Sequence, residues 1–473
     1  MLAVTLIVAS LVTYLLYSLW RLVYNVYFHP LAKFPGPWWA GATSYVEAYF
    51  DAVKGGRYFE KIEAMHARYA APTSVIATTQ HDHHRARRNP LLSFFSKQAI
   101  TRLEPFIWSR VNLLVKKLKQ AHEIGQVVEA VDAYGALTTD VISYYAYGET
   151  FDYLGRDTDL KFRNDYMHAI SGLAFATPIM IHFPLVADCM RRLPEWLLIK
   201  MNPGMKSVND LRRWCSANAR MVLQAASSGV KRDSVKPNTI FEALLSDDLP
   251  PKEKTLERMT DESFVIIGAG LETTSRYLTN ITTHLLLNPN CLARLRAELR
   301  VAMASPGDCP PSIVLENLPL TSIAKSAVVL EGLRRETIFS NRFTRQPVEP
   351  LPYKDFVIPA GTNVGCAPYV QNHIADVFPE PEKFRPERWL EAREQGVNLP
   401  KYLATFVKGG RMCLGINLAH AELHMTIAAI FRNFEMELVD SGLEDITMTR
   451  GYSFGFTENY GWGVKVRITK VLE

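Results

Sequence analysis

The strongest constraint on this chain lies near its carboxyl end, where Phe406, Gly409, Gly410, Arg411, Cys413 and Gly415 follow one another within ten positions. A cysteine sits in a short glycine-bearing loop, with an arginine two residues before it and a glycine two after. Residues 416–432 then read as a helix. Gly409 and Gly410 permit positive φ, so the loop can fold back and aim backbone N–H groups at the sulfur, which favours a thiolate able to hold a metal. Phe406 would exclude water from that sulfur. Arg411 brings a permanent charge that grips a carboxylate bidentately, and Gly415 leaves room for a flat ligand against the helix start. A lone buried cysteine is also an ordinary small hydrophobe, so the weight rests on the spacing. No CxxC pair occurs anywhere, which argues against a four-cysteine zinc site.

The remaining composition narrows the class. With 48% hydrophobic and 21% charged residues over 473 positions, the chain is able to bury a large core. A formal charge of +5, not gathered into a run, suits an acidic membrane surface or protein partner, and no nucleic-acid motif is present. The six cysteines are scattered without pairing spacing, which fits a reducing compartment.

A second stretch, residues 264–274, is an apolar helical run that gains Gly268 and Gly270 and passes directly into Glu272, Thr273 and Thr274. Glycines weaken a helix locally, and an acid beside a hydroxyl in an apolar setting is costly unless it belongs to a hydrogen-bond network. Further on, Glu331 and Arg334 share one helix face at i and i+3. Upstream, His84 and Arg88 share a face at i and i+4, whereas the neighbouring His81 and His83 do not converge with His84 on a metal.

Taken together, Phe-x-x-Gly-x-Arg-x-Cys-x-Gly at 406–415 resembles the signature of the haem-thiolate monooxygenases, the cytochrome P450 family. Ala269, Gly270, Glu272 and Thr273 are similar to its oxygen-activating helix, and Phe384 to Trp389 to the segment whose arginine, here Arg388, completes a buried lock with Glu331 and Arg334. The resemblance implies a mainly α fold with a small β region. It implies haem b with Cys413 as axial iron ligand, and Glu272 and Thr273 delivering the two protons that dioxygen needs before its O–O bond splits. Propionate contacts would come from His84, Arg88, Arg345 and Arg411, with Ala269 and Phe406 against the ring. The helix is expected to be distorted at its glycines. Ser340 and Asn341 would line a cavity for an apolar small molecule, and Arg85 and Arg87 would face an acidic reductase. No Gly-x-Gly-x-x-Gly fingerprint is present, so electrons are expected from NADPH through a separate flavoprotein, the NADPH-cytochrome reductase. A haem-thiolate isomerase or dehydratase without a reductase, and a non-functional haem-binding chain, remain as alternatives.

At the amino end, residues 2–20 are uncharged and long enough to cross a bilayer, with Arg21 and the aromatics Trp20, Tyr24, Tyr27 and Phe28 following. The expected organisation is an anchor over 1–21, a hinge over 22–37 stiffened by Pro30, Pro35 and Pro37, and a catalytic domain over 38–473 on the cytosolic face of the endoplasmic reticulum. Residues 43–69 read as helix, and 166–194, apolar and broken by Pro178 and Pro184, as a lid. Residues 231–251 read as a surface loop and 446–471 as one β-hairpin. Beside the family pattern, the sheet strands and roof segment expected after Tyr69 are missing, because only residues 70–80 intervene before the next motif. The hinge and the glycine-doubled cysteine loop look most like fungal secondary-metabolism members, whose substrates are terpenoid, polyketide or alkaloid intermediates.

Overall fold

The computed structural model describes residues 2–29, 32, 74, 75, 78, 80–156, 160–174, 189, 190, 192–227, 239–245, 249–316, 327–340, 343–452, 454–458 and 463–473. The expected helix over 43–69, most of the short connection after it, the hinge from Pro30 on apart from Ala32, parts of the lid and loop, and Asn341 lie outside the described residues.

The first helix, α1 (Leu2–Tyr27), carries exposed Leu15, Leu16, Leu19 and Trp20. Several of its most apolar side chains lie outside the described residues, and among the described residues no helix is long and apolar enough to cross a membrane. Next come α2 (His81–Leu92) and α3 (Lys97–Glu123). Helix α3 starts where the Ser96 hydroxyl accepts the Ala99 N–H. It buries Ile100, Leu103, Ile107, Val111, Leu114 and Leu118 at three- and four-residue spacing.

Strand β1 (Val127–Glu129) leads into α4 (Ala130–Tyr147), which is buried on nearly every side and stops at Gly148, where φ is 73°. After α5 (Asp165–Ala174) and α6 (Met205–Ser227), the 32-residue helix α7 (Leu256–Leu287) runs through the molecule. Its first turn is capped by Thr255, whose hydroxyl accepts the Arg258 N–H. Helices α8 (Pro289–Ala302) and α9 (Ala327–Arg335) follow.

The remaining elements are strands β2 (Phe343–Arg345), β3 (Leu351–Tyr353), β4 (Phe356–Ile358) and β5 (Val364–Cys366), helices α10 (Glu387–Glu394) and α11 (Ile416–Asn433), and strands β6 (Phe434–Leu438), β7 (Arg450–Tyr452), β8 (Phe454–Phe456) and β9 (Lys465–Val471). Every strand pair is antiparallel: β1-β9-β6, β2-β5, β3-β4 and β7-β8.

Two expectations need correction. The segment 446–471 is not a single hairpin. Its aromatic first part closes on itself as β7-β8, while β9 pairs with β1 and β6. The reason is alternation: Val466 and Ile468 are buried while Lys465 and Arg467 face solvent, and a two-stranded ribbon alone would leave the apolar face uncovered. The glycines near Ala269 also act differently. Helix α7 is unbroken α-helix from Leu256 to Leu287, and Gly270 serves close packing: a Cβ there would lie 2.6 Å from Cγ1 of Ile142 on α4.

Gly332 does the same between α9 and α7, where a Cβ would meet Cγ1 of Ile281 at 2.2 Å. Gly332→Ala is therefore expected to lower stability by about 1–3 kcal/mol through overpacking. In denaturant titrations, Ile281→Ala should offset part of that loss in the double variant.

Candidate active site

Local backbone geometry builds the cysteine loop. The carbonyl of Phe406 accepts the Cys413 N–H at 2.9 Å, and the Gly409 carbonyl accepts the Met412 N–H at 3.0 Å. Positive φ is taken by Gly409, at 75°, and by Val407, at 58°. Gly410, expected to share this role, keeps ordinary φ, because the turn needs left-handed residues two positions apart. The loop ends where Gly415 caps α11, and its N–H points at the Cys413 sulfur. Helix N-terminus and amide together favour negative charge on sulfur. Cys413 has open surface, yet burial pushes its thiol up, against the Gly415 amide and the charge of Arg88.

Helix α7 passes near it. Burial above all, and then the neighbouring Cys413, push the Tyr277 phenol up, which places the sulfur within electrostatic reach of this helix. Between the end turns of α7, every described residue is buried or half-buried except Ala269. Ala269 and Thr273, one turn apart, therefore face an opening, and the Thr273 hydroxyl donates to the Ala269 carbonyl at 2.9 Å.

Glu272 is turned away from them and fully buried. Its Oε1 accepts from Ser171 on α5 at 2.6 Å and is ion-paired with Arg276, while its Oε2 has no hydrogen-bond partner among the described residues. Burial pulls the Arg276 guanidinium down and Glu272 opposes this. Arg276 also donates to the Gly455 carbonyl at 3.0 Å and lies over the rings of Phe454 and Phe456. The structure thus brings Thr273 and Ala269 together, and separates Glu272 from both.

A cluster of cations forms the third part. Burial comes first in lowering His84, to about 4, followed by the charges of Arg411, Arg88, His81 and Arg345. Burial and then Arg345 and Arg88 lower Arg411 as well. His84, Arg88, Arg345 and Arg411, from α2, β2 and the cysteine loop, therefore converge. Among the described residues no carboxylate is ion-paired with Arg88 or Arg345. Of the exposed-arginine expectation, Arg85 is exposed, but Arg87 is not available to a reductase. Its guanidinium is 11% exposed and is taken by Glu253 and Thr78, because the face of α2 it occupies packs towards the start of α7.

A fourth part holds the loop. Glu331 is fully buried and its two oxygens accept from Arg334 at 2.8 and 3.0 Å, from Arg388 Nε at 3.0 Å, from Trp389 Nε1 at 2.9 Å and from the Arg385 N–H at 2.9 Å. Arg334 also donates to the Asn372 carbonyl. The Asn372 side chain donates to Thr405 at 3.0 Å and accepts the Ala404 N–H at 2.9 Å, and Thr405 donates to the Leu333 carbonyl at 2.7 Å. Sequence reasoning missed Asn372, Thr405 and Trp389, whose only signal is proximity to the motifs they join. It also missed Glu422 on α11, whose carboxyl burial pushes up well above the ordinary range, with Thr274 of α7 acting the other way. Ser340 is buried just before β2, and Phe406 is half-buried against His420.

The cytochrome P450 family model matches residues 45–459. The chain belongs to the cytochrome P450 family. It is 35% identical to the cytochrome P450 monooxygenase TRI4 of Fusarium sporotrichioides, over 99% of this chain and 97% of that protein. It is 33% identical to the cytochrome P450 monooxygenase aflU of Aspergillus parasiticus over 95% of each, and 35% identical to conidiogenone synthase PchP450 of Penicillium rubens over 95% and 96%. The alignment with TRI4 runs to 519 residues against 473 in this chain, so that relative carries residues without a counterpart here.

This P450 is a haem-dependent monooxygenase acting on a small molecule with dioxygen, and the residues present fit the group. Cys413, two residues before the N-cap of α11 and favoured as a thiolate by the Gly415 amide, suits an axial thiolate, and the cations around Arg88 and Arg345 suit the two carboxylates of haem.

Two outcomes follow from this geometry. Removing the Glu331 carboxylate by Glu331→Ala would strand two buried guanidinium groups, and urea unfolding should show a loss of about 3–5 kcal/mol. His84 binds its proton less readily when folded than unfolded. The haem-free protein should therefore lose stability as pH falls from 6.5 towards 4, by roughly 1–3 kcal/mol, in melts that His84→Asn flattens.

Proposed function

We propose that Cys413 is the axial thiolate of haem b and that His84, Arg88, Arg345 and Arg411 hold its propionates, with Ala269 and Phe406 against the ring. The observation that carries this reading is the geometry of the Cys413 loop, which turns through left-handed Val407 and Gly409, returns the Cys413 N–H to the Phe406 carbonyl at 2.9 Å and runs directly into the N-terminus of α11. Haem supplies dioxygen activation, and a thiolate ligand favours O–O cleavage. Neutral His84 donates a ring N–H while the arginines neutralise carboxylate charge. Thr273 offers its hydroxyl to dioxygen at the opening beside Ala269. Glu272 relays protons after rotating from Ser171 and Arg276: Oε2, which has no hydrogen-bond partner among the described residues, takes a proton from solvent water and passes it on towards Thr273. Glu331, Arg334 and Arg388 have a structural role, holding the loop that carries Cys413.

Electrons come from NADPH through a separate flavoprotein reductase. The substrate is an apolar intermediate of fungal secondary metabolism, terpenoid, polyketide or alkaloid, a class suggested by the fungal relatives. Residues 1–21 anchor the protein in the endoplasmic reticulum membrane, 22–37 form a hinge, and 38–473 the cytosolic catalytic domain. Support comes from α1, whose Leu15, Leu16 and Leu19 are exposed and whose Tyr17, Trp20 and Tyr24 stack near its end.

The deciding measurement is the carbon monoxide difference spectrum of the reduced protein in membranes. The parent should show the thiolate band and Cys413→Ala should lose it, and a band unchanged in the variant would overturn the ligand assignment. With substrate, NADPH and reductase, Glu272→Gln should lower kcat by roughly 100-fold with KM unchanged.

A further inference from the structure

The cation cluster is braced from behind by Thr78. The Thr78 carbonyl accepts Nη1 of Arg411 at 2.6 Å, and its hydroxyl accepts Nη1 of Arg87 at 2.8 Å while donating to the Ser74 carbonyl at 2.8 Å. Arg87 neighbours Arg88 on α2, so whatever fixes Arg87 also fixes the turn that presents Arg88 and His84. With one amino group on the Thr78 carbonyl, the planar guanidinium of Arg411 has its orientation set and its other donors aimed.

Thr78 and Arg87 are themselves tied to an ion network at the start of α7. Arg87 Nε reaches Glu253 Oε2 at 2.8 Å, and His83 Nε2 lies 2.8 Å from Oε1 of the same carboxylate. Arg258 lies 3.4 Å from Glu253 and 2.5 Å from Glu262. Oε2 of Glu262 then accepts the Val75 N–H at 2.8 Å. Both carboxylates and Arg258 are buried. Two acids against two guanidinium groups balance in charge, but so little water reaches them that the arrangement holds only in good geometry. The two ends of the network grip residues three apart, Glu262 at the Val75 main-chain N–H and Arg87 at the Thr78 side-chain hydroxyl.

We propose that Glu253, Glu262 and Thr78 are positioning residues for haem retention: the network fixes the Val75 N–H, the Thr78 hydroxyl and the turn of α2 around Arg87, so that the Thr78 carbonyl holds Arg411 and both Arg88 and Arg411 meet the haem carboxylates preorganised. This rests on the haem-thiolate reading above. It concerns how long haem stays, and leaves its axial ligand unchanged.

The test is the rate at which ferric full-length protein surrenders haem to excess apomyoglobin, measured for the parent, Glu262→Gln, Thr78→Val and Thr78→Ser. Thr78→Val removes the hydroxyl acceptor at nearly constant volume, and Thr78→Ser restores it. Glu262→Gln and Thr78→Val should lose haem roughly 10-fold faster, a typical effect of disturbing the groups behind a ligand shell. Thr78→Ser should match the parent, and all four should keep the thiolate band with carbon monoxide when freshly loaded. Should Glu262→Gln fail to fold, the Thr78 pair decides. Parental loss rates in Thr78→Val, or equally fast loss from Thr78→Val and Thr78→Ser, would overturn the proposal while leaving the haem-thiolate reading intact. A parent without the thiolate band would overturn both.

Discussion

A single buried carboxylate, Glu331, organises the proximal half of this protein. Alone, an ionised acid without water costs several kcal/mol, and it persists because five donors converge on its two oxygens. Those donors come from α9, from α10 and from the chain between them, so satisfying one charge fixes three pieces of backbone. The order then propagates by hydrogen bonds. Arg334 reaches Asn372, Asn372 holds Ala404 and Thr405, and the loop that follows returns Cys413 to the Phe406 carbonyl. The sulfur is thus placed by a chain of polar contacts that begins at a residue far from it in sequence.

The distal half depends on close approach of helices instead. Gly270 lets α7 lie against Ile142, and the Thr138 hydroxyl donates to the Leu271 carbonyl at 2.7 Å, so α4 and α7 touch where α7 also turns Ala269 and Thr273 to the opening. Glu272 occupies the opposite situation. Its partners Ser171 and Arg276 belong to a region that also includes α5 and the β7-β8 hairpin, through Gly455, Phe454 and Phe456. The acid and the hydroxyl that adjoin in sequence are therefore assigned to different environments, one sealed and one open.

Between the halves lies the cation cluster, where like charges are held together without a carboxylate paired to Arg88 or Arg345 among the described residues. Such a cluster is unfavourable in isolation: burial first, and then the neighbouring charges, lower both His84 and Arg411. A bound dicarboxylate would relieve it, which is the basis of the proposed propionate contacts. The network through Glu253, Arg258 and Glu262 balances charge on the other face of α2.

Sequence alone determined the chemistry: the spacing around Cys413, the Glu-Thr pair after Ala269, the Glu331 and Arg334 pair and the His84 and Arg88 pair are local patterns, legible because a helix or tight loop maps spacing directly onto a shared face. The helical class came with the family resemblance that these patterns carry. Tertiary structure alone decided everything that depends on partners remote in the chain. It made Gly270 a packing contact, since nothing local says that Ile142 will lie against it. It drew Arg87 inward to Glu253, since residues 166 positions apart leave no common signature. It sent β9 to β1 and β6 instead of back on its neighbour, because alternation shows that one face must be buried but not against what. Local spacing fixes which groups are available. Only the folded backbone sets which of them meet.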